Sequence, residues 1–271
     1  MKLIERKKCI SCEGSLSLIH KFNNFPIYMG VTKDPITSDI SGEMVFGYCI
    51  KCYNVQLMKL VPLEILYAKP HNAAIGKMWD KHHFEFYEFI KPYISGNVIE
   101  IGGGNLKLAN YLAKENKIKK ITIYDTNEYD LRKSEKIAQK KEFFDSKNLV
   151  EHPDAIIHSH LLEHLYNPIK QLREMAETMP DHSKMAIAVP LIDEMLKDKF
   201  TNAMNFEHTY MTSYKLIKRM LSLAKLKILD NKLFSKYVVF IIAEKRNDIE
   251  NHSNVDISKS NKEEVLITKN F

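Results

Sequence analysis

Through the central part of the chain, short apolar runs alternate with stripes of helical period. Val98, Ile99 and Ile101 form one such run, and Gly102, Gly103 and Gly104 stop it. From Asn105 onward, Leu106, Leu108, Ala109, Leu112 and Ala113 recur three and four positions apart, which lines them along one face of a helix. The alternation continues. A second strand is expected from Ile121 to Tyr124, closed by Asp125, and a third near "KEFF", with Asp145 in the loop behind it. "DAIIHSH" reads as the fourth strand, "NPIKQLREMAETM" as a helix, "KMAIAVP" as the fifth strand and "SYKLIKRMLSLA" as another helix. "KLKILDNKLF" and "YVVFIIAEKR" close as an antiparallel pair. Strands and helices in that order predict an α/β fold, a doubly wound Rossmann-like sheet with β-structure at its end.

The first 60 residues follow a different pattern. Their apolar positions gather chiefly in "SLSLIHKF" and "NVQLMKLV", too little for a core of their own without a metal or a staple. All four cysteines lie here, as "CISC" (Cys9, Cys12) and "CIKC" (Cys49, Cys52). Two C-x-x-C pairs can present four thiolates at the corners of a tetrahedron, as a closed structural zinc site requires. The long stretch between the pairs adds little closure entropy. Disulfides are the competing use, disfavoured by the tight pairs and a reducing compartment. A redox motif would need a C-x-x-C at the start of a helix after a strand, and neither pair has that setting. The expected organisation is therefore a small β-rich zinc module over 1–62, a connector over 63–95 with helical spacing at about 74–91, the α/β domain over 96–246 and a flexible polar tail over 247–271.

Composition narrows the class without naming it. At 271 residues, 45% hydrophobic and 27% charged, the chain has the makeup of a soluble globular protein. No apolar run approaches the roughly 20 residues that span a bilayer. The start "MKLIERKKCISC" has no apolar stretch behind its basic residues, so it does not read as a secretory signal, and a cytoplasmic protein is expected. The net charge of +6 comes from scattered lysines balanced by 34 acidic residues. No basic stripe interleaved with aromatics points to nucleic acid, while an anionic small substrate fits.

The glycine turn carries the first chemistry. It lacks the third glycine of G-x-G-x-x-G, because position 107 is Lys, and it lacks the G-K-[ST] ending of a P-loop. What it has is E-x-G-x-G: Glu100, Gly102 and Gly104. Glycines let a ligand pass close to the backbone, and a carboxylate just before the turn suits a cationic amine better than a pyrophosphate. Asp125, at the end of the next strand, is placed to bond ribose hydroxyls. A second pattern competes for attention. "HSHLLEHL" contains H-x-x-E-H (His160, Glu163, His164), the inverzincin arrangement of zinc proteases if it lies on one helix. The expected strand "AIIHSH" ends at His160, so the two histidines need not share a helical face.

Together "VIEIGGGN", Asp125 and "DAIIHSHLLEHLYNP" resemble a class I S-adenosylmethionine-dependent methyltransferase over roughly residues 76–245. The two C-x-x-C pairs, "VQLMKLVPLEILY" and "GKMWDKHH" are similar to the zinc-binding leader of bacterial sugar C-methyltransferases. That resemblance implies S-adenosylmethionine and a structural zinc as cofactors. It implies cofactor contacts at Glu100, Gly102, Gly104 and Asp125, with Asp145 toward the adenine and His160 at the fourth strand's end. "NFEHTYMT" resembles the family's Y-H-E-H acceptor segment, with Glu207 and His208 in its last two positions and Asn205 and Phe206 departing from it. His208 is then the first choice of base, His164 the second, and Glu207 an orienting group; Tyr67, Tyr210, His82 and His83 are further pocket candidates. The family also carries a further C-terminal domain, whereas here the residues after 246 are polar. The implied substrate is accordingly broad: a small phosphorylated or nucleotide-linked metabolite of a capsule or other cell-surface sugar pathway, with oxygen preferred over carbon as acceptor. An oligomer stays open. A non-catalytic partner-binding protein of the same fold and an RNA methyltransferase are the alternatives.

Overall fold

The computed structural model describes residues 1–28, 35–68, 76–128, 130–131, 134–149, 151–248, 262 and 265–269. Its N-terminal strands are β1 (Ile4–Glu5), β2 (Leu16–Pro26), β3 (Ser41–Cys49), β4 (Val55–Leu57) and β5 (Lys59–Leu60). β2, β3 and β4 make an antiparallel sheet, and β1 pairs with β5 beside it. Helices α1 (Leu63–Leu66) and α2 (Lys77–Ile90) lead onward. The expected connector helix matches α2 closely; residues 69–75 before it lie outside the described residues.

The α/β domain runs β6 (Gly96–Ile101), α3 (Lys107–Leu112), β7 (Ile118–Tyr124), β8 (Ile137–Lys140), β9 (Ala155–Ser159), α4 (Pro168–Glu177), β10 (Lys184–Pro190), α5 (Ile192–Lys197), α6 (Tyr214–Leu223), β11 (Leu226–Ser235) and β12 (Val238–Lys245). The seven strands lie in the order β11-β12-β10-β9-β6-β7-β8. β10, β9, β6, β7 and β8 are parallel, and β12 runs antiparallel to β10 and β11. The central strands read as nearly unbroken apolar runs because helices cover both faces. Ile99, Ile101, Ile156, Met185, Ile187 and Val189 point to the face packed by α4 and α6. The alternate positions, Val98, Ala155, Ile157, Ala186 and Ala188, meet Phe86 and Ile90 of α2 and Leu108 and Leu112 of α3. Local signals set the helix starts: Pro168 occupies the first turn of α4, and Ser213 caps α6 by accepting from the Leu216 amide at 3.3 Å.

Two segments differ from the sequence reading. The third strand precedes "KEFF" and is formed by "IAQK". Phe143 is instead exposed, and Phe144 packs edge-on against Tyr124 with ring centroids 5.2 Å apart; two aromatic residues made a neighbouring loop look more strand-like than the strand. Within the stretch expected as a flexible tail, residues 265–269 are helical, and Val265 is buried in the cluster of Phe46, Leu57 and Phe206. Residues 249–261, 263–264 and 270–271 of that stretch lie outside the described residues.

The module is joined to the α/β domain by main-chain pairing. The Leu57 amide donates to the Thr209 carbonyl and the Met211 amide to the Val55 carbonyl, both at 2.9 Å, so residues 209–211 extend the module's sheet beyond β4. Arg6 locks the seam from below. Its buried guanidinium donates to the carbonyls of Thr209 at 2.6 Å, Leu57 at 3.2 Å and Tyr166 at 2.8 Å. Burial lowers the Arg6 pKa to about 10, still fully charged at neutral pH. Loss of a charged donor that leaves buried carbonyls unpaired costs a few kcal/mol. Arg6→Ala is therefore expected to lower unfolding free energy by about 3 kcal/mol, read from the urea midpoint; a change below about 0.5 kcal/mol would show the seam to be held elsewhere.

Candidate functional site

Strand order reverses between β6 and β9: β7 and β8 lie to one side, β10 to the other. In open α/β sheets the crevice at such a switch point, beyond the carboxyl ends of the strands, is where ligands bind. The E-x-G-x-G turn sits there. Gly102 and Gly104 have φ of +72° and +57°, and a Cβ on either would meet nothing within 4 Å. Both therefore face open space in a conformation that favours glycine. Gly103 serves packing: a Cβ there would come within 2.5 Å of Ile123 Cγ2. Glu100 is buried just below, and its Oε2 has no hydrogen-bond partner among the described residues. Burial, reinforced by the charge of Asp125, raises its pKa to about 8. Asp125 follows β7 and accepts from the Gly104 amide at 3.2 Å and the Asn127 amide at 2.8 Å, tying the two strand ends together.

Across the crevice, α2 presents Trp79, His82 and His83. Trp79 meets His160 with ring centroids 4.9 Å apart, and His82 Nε2 lies 3.4 Å from His160 Nε2. Burial, then the neighbouring histidines, pulls His82 down to about 3, so it is neutral at physiological pH. His160 itself follows β9 at φ +52°, and the next turn, Leu162–His164, is a 3-10 helix. His160 and His164 thus do not share an α-helical face, as the strand reading expected. Asp145 caps a separate turn through the Lys147 amide at 3.0 Å and stands apart from this cluster in its hydrogen bonding.

Glu163 is the residue the sequence reading passed over as a site group. It is 1% exposed, and neither carboxylate oxygen has a well-formed hydrogen bond. Its Oε1 lies 3.5 Å from His160 Nδ1 and 3.5 Å from His164 Nε2. Burial would raise the Glu163 pKa, but the two imidazoles outweigh it and hold the group ionised, well below the usual carboxylate range. His164 responds in kind: burial opposes its charge, yet Glu163 and Glu207 raise its pKa. Glu207 Oε2 is 3.6 Å from His164 Nδ1, and the Tyr67 hydroxyl is 3.4 Å from the same nitrogen.

His208 completes the group, its ring 5.5 Å from that of His164. Burial and the adjacent His164 lower its pKa. Its Nδ1 lies 2.9 Å from the Ala203 carbonyl, an acceptor, and 3.3 Å from Asn205 Nδ2, which donates to the Asn202 carbonyl at 3.0 Å; the shorter contact favours the tautomer with the proton on Nδ1 and the lone pair on Nε2. Asn205 fastens this loop: its Oδ1 accepts from the Glu207 and His208 amides, each at 2.8 Å, an Asx-type turn. Phe206 is fully buried against the module. The two departures from the resembled acceptor segment are therefore structural, and they aim Glu207 and His208 at His164. Tyr210 is buried, donating to the Leu162 carbonyl at 2.6 Å.

The cysteines meet as a four-sulfur group in which all four sulfur atoms lie within 4.8 Å of one another. Cys9 Sγ is 3.5 Å from Cys52 Sγ, and Cys12 Sγ is 3.4 Å from Cys49 Sγ, far beyond a disulfide bond and near the edge of a zinc tetrathiolate, roughly 3.8 Å. Each C-x-x-C closes with the same turn. Glu13 and Tyr53 adopt positive φ, their amides return to the carbonyls of Cys9 and Cys49, and the Ser11 and Lys51 amides point at the sulfurs of Cys9 and Cys49. Thiol contact drives Cys52 down to about 5 and Cys9 up. These donors fit a divalent metal.

A family model described as a methyltransferase domain matches residues 77–230. No curated protein matches the chain. Among solved structures, the [4+2]-cyclase SpnF is 12% identical at a TM-score of 0.50, with 62% of this chain and 80% of that one covered. A chain of the complex containing the Haloferax volcanii Trm112 methyltransferase activator is 10% identical at 0.51, covering 64% and 91%. The N-methyltransferase NodS from Bradyrhizobium japonicum WM9, solved with S-adenosyl-l-homocysteine, is 11% identical at 0.47, covering 64% and 89%. At such identities the likeness is one of fold, and a cyclase among the neighbours shows that fold alone does not set the reaction. Among the described residues no helix is long and apolar enough to cross a membrane.

Glu100 gives this site a signature in stability. Its folded pKa of about 8 exceeds the unfolded 4.5, so the native state holds a proton that the unfolded chain has released between those values. Stability must then fall as pH rises through that window, by at most on the order of 4–5 kcal/mol. Glu100→Gln is expected to gain on wild type in urea unfolding at pH 8 relative to pH 5. Parallel pH dependence of the two proteins would show that Glu100 titrates normally.

Proposed function

From the premise that this chain belongs to the methyltransferase-domain family, and so is an S-adenosylmethionine-dependent methyltransferase, we propose that it methylates a small phosphorylated or nucleotide-linked metabolite of a capsule or related cell-surface sugar pathway, preferentially at oxygen. The observation that carries the cofactor half is the pair of open, positive-φ glycines above the unpartnered Glu100 Oε2. The bound cofactor supplies a methyl group already activated on a sulfonium. Gly102 and Gly104 leave room for it, Glu100 is placed for the amine, and Asp125 for the ribose. The amine favours the ionised form of Glu100, so binding near neutral pH expels the Glu100 proton. His160, with Trp79 and His82, closes the far wall.

The substrate half rests on the two histidines and the two carboxylates beside them. His208, neutral and with its Nε2 lone pair free, takes the acceptor hydroxyl's proton as the methyl is transferred. His164, whose pKa Glu163 and Glu207 raise against the opposing effect of burial, is the side chain placed to face an anionic acceptor. The work of the remaining residues is positioning, which is most of what an activated methyl requires. The capsule setting and the preference for oxygen come from the sequence resemblance. The four cysteines hold one structural zinc, whose part is to fold the module that seats the 205–211 segment.

Gly104→Val should abolish calorimetric binding of S-adenosylhomocysteine while leaving metal content near wild type, with an added strain of about 1–3 kcal/mol from a β-branched residue at positive φ; an unchanged affinity would move the cofactor elsewhere. With an acceptor identified from phosphorylated and nucleotide-linked sugars, His208→Ala should cut turnover by about 10²–10⁴-fold, the usual scale of general-base loss, with cofactor affinity altered less than about threefold. Full activity in that variant would remove His208 as the base.

A further inference from the structure

The group formed by Glu163, His164 and His208 has a second chemistry. One donor atom from each lies within 4.8 Å of the other two, and a tetrahedral metal bound at about 2.1 Å needs its ligands roughly 3.4 Å apart. Side-chain adjustment of about an ångström would close that gap. Two imidazoles and one carboxylate on one side of a pocket leave further coordination positions open, the donor set common to zinc and other divalent transition metals.

Three features single this cluster out from an ordinary buried ion pair. Glu163 is 1% exposed and lacks a well-formed hydrogen bond at either oxygen, so its negative charge is held in the interior by nitrogens 3.5 Å away. His208 has Nδ1 committed to the Ala203 carbonyl at 2.9 Å, which fixes the ring and leaves Nε2 as the donor, the arrangement that second-shell carbonyls impose on metal-bound histidines. The backbone holds both elements in register: the Thr209 amide, next to His208, donates to the Glu163 carbonyl at 3.0 Å.

We propose that Glu163, His164 and His208 form a second divalent transition-metal site, separate from the four cysteines and located in the acceptor pocket. The His208 lone pair that the metal takes is the one that the proposed reaction uses for the acceptor's proton, and to that extent the inference rests on the proposed function. Metal loading requires neutral imidazoles and releases to solvent any proton that His164 carries, so it excludes both a cationic His164 and base catalysis by His208. Zinc beyond the cysteine-bound equivalent switches the enzyme off, and chelators that spare the cysteine site restore it.

The test uses the full-length protein loaded with one equivalent of zinc, titrated with Co²⁺ and followed by visible absorption and by metal analysis after desalting. A second equivalent should bind with the visible bands of nitrogen and oxygen ligation and no thiolate charge-transfer band. Glu163→Gln and His208→Ala should each weaken that equivalent at least tenfold while retaining the first. Glu163→Gln is nearly isosteric and guards against loss of fold in the alanine variant. Stoichiometry fixed at one in folded wild type would overturn the proposal, as would a second equivalent indifferent to both substitutions. Binding of S-adenosylhomocysteine, measured on the same samples, reports separately on the methyltransferase reading: its failure with a second metal still bound would reject that reading and leave the metal site standing.

Discussion

Two main-chain hydrogen bonds between β4 and residues 209–211 are the constraint on which the site depends. They extend the small module's sheet into a loop of the α/β domain, one residue beyond His208. Each partner has anchors of its own, β4 to β3 and residues 209–210 to the carbonyls of Glu163 and Leu162, and these two bonds tie the anchored pieces to each other. β4 has three residues, and the loop is held within itself by Asn205. Arg6 adds three charged hydrogen bonds at the same place, and Phe206 inserts into the module's core. Because the buried cluster of the module is continuous with Ile192, Leu196, Phe206 and Met211 of the α/β domain, the order of the module, of β4 and of residues 205–211 is one linked property.

The chemistry of the crevice follows from unequal neighbours around like, equally buried groups. Glu100 and Glu163 are both interior carboxylates, yet Glu100 has only the negative Asp125 near it and is raised to about 8, whereas Glu163 lies between two imidazoles and stays ionised. His164 and His208 are pushed apart, the first upward by the carboxylates against the effect of burial, the second downward by burial and then by His164. Neighbouring groups whose pKa values are pushed in opposite directions can carry different protonation at one pH. A series of close side chains, His82, His160, Glu163, His164 and then Glu207 and His208, spans the crevice from α2 to the 205–211 loop.

Much of the fold was legible because parallel strands covered on both faces leave continuous apolar runs, and "VIEI", "AIIHS" and "MAIAV" are such runs. The glycine turn was legible for a steric reason, since positive φ at Gly102 and Gly104 narrows the residue choice. β8 was hidden because "IAQK" is short and half polar while Phe143 and Phe144 behind it mimic a strand. Val265 was hidden in a polar stretch whose partners include Phe46 and Leu57, more than two hundred residues away in sequence. Asn205 and Phe206 looked like losses from a motif, and the structure gives them work in the turn and in the core. Glu163 was visible in H-x-x-E-H, but its importance comes from burial between histidines, which spacing alone does not report.

The module that carries the four cysteines holds residues 205–211, while the glycine turn belongs to the α/β domain alone. Amide hydrogen exchange on wild type and Cys49→Ser, each with saturating S-adenosylhomocysteine, addresses this division directly. The account predicts that the variant loses protection across the module and across 205–211 together, while β6 and the glycine turn keep theirs and the ligand stays bound. Undiminished protection at 205–211 in a variant whose module has opened would contradict it.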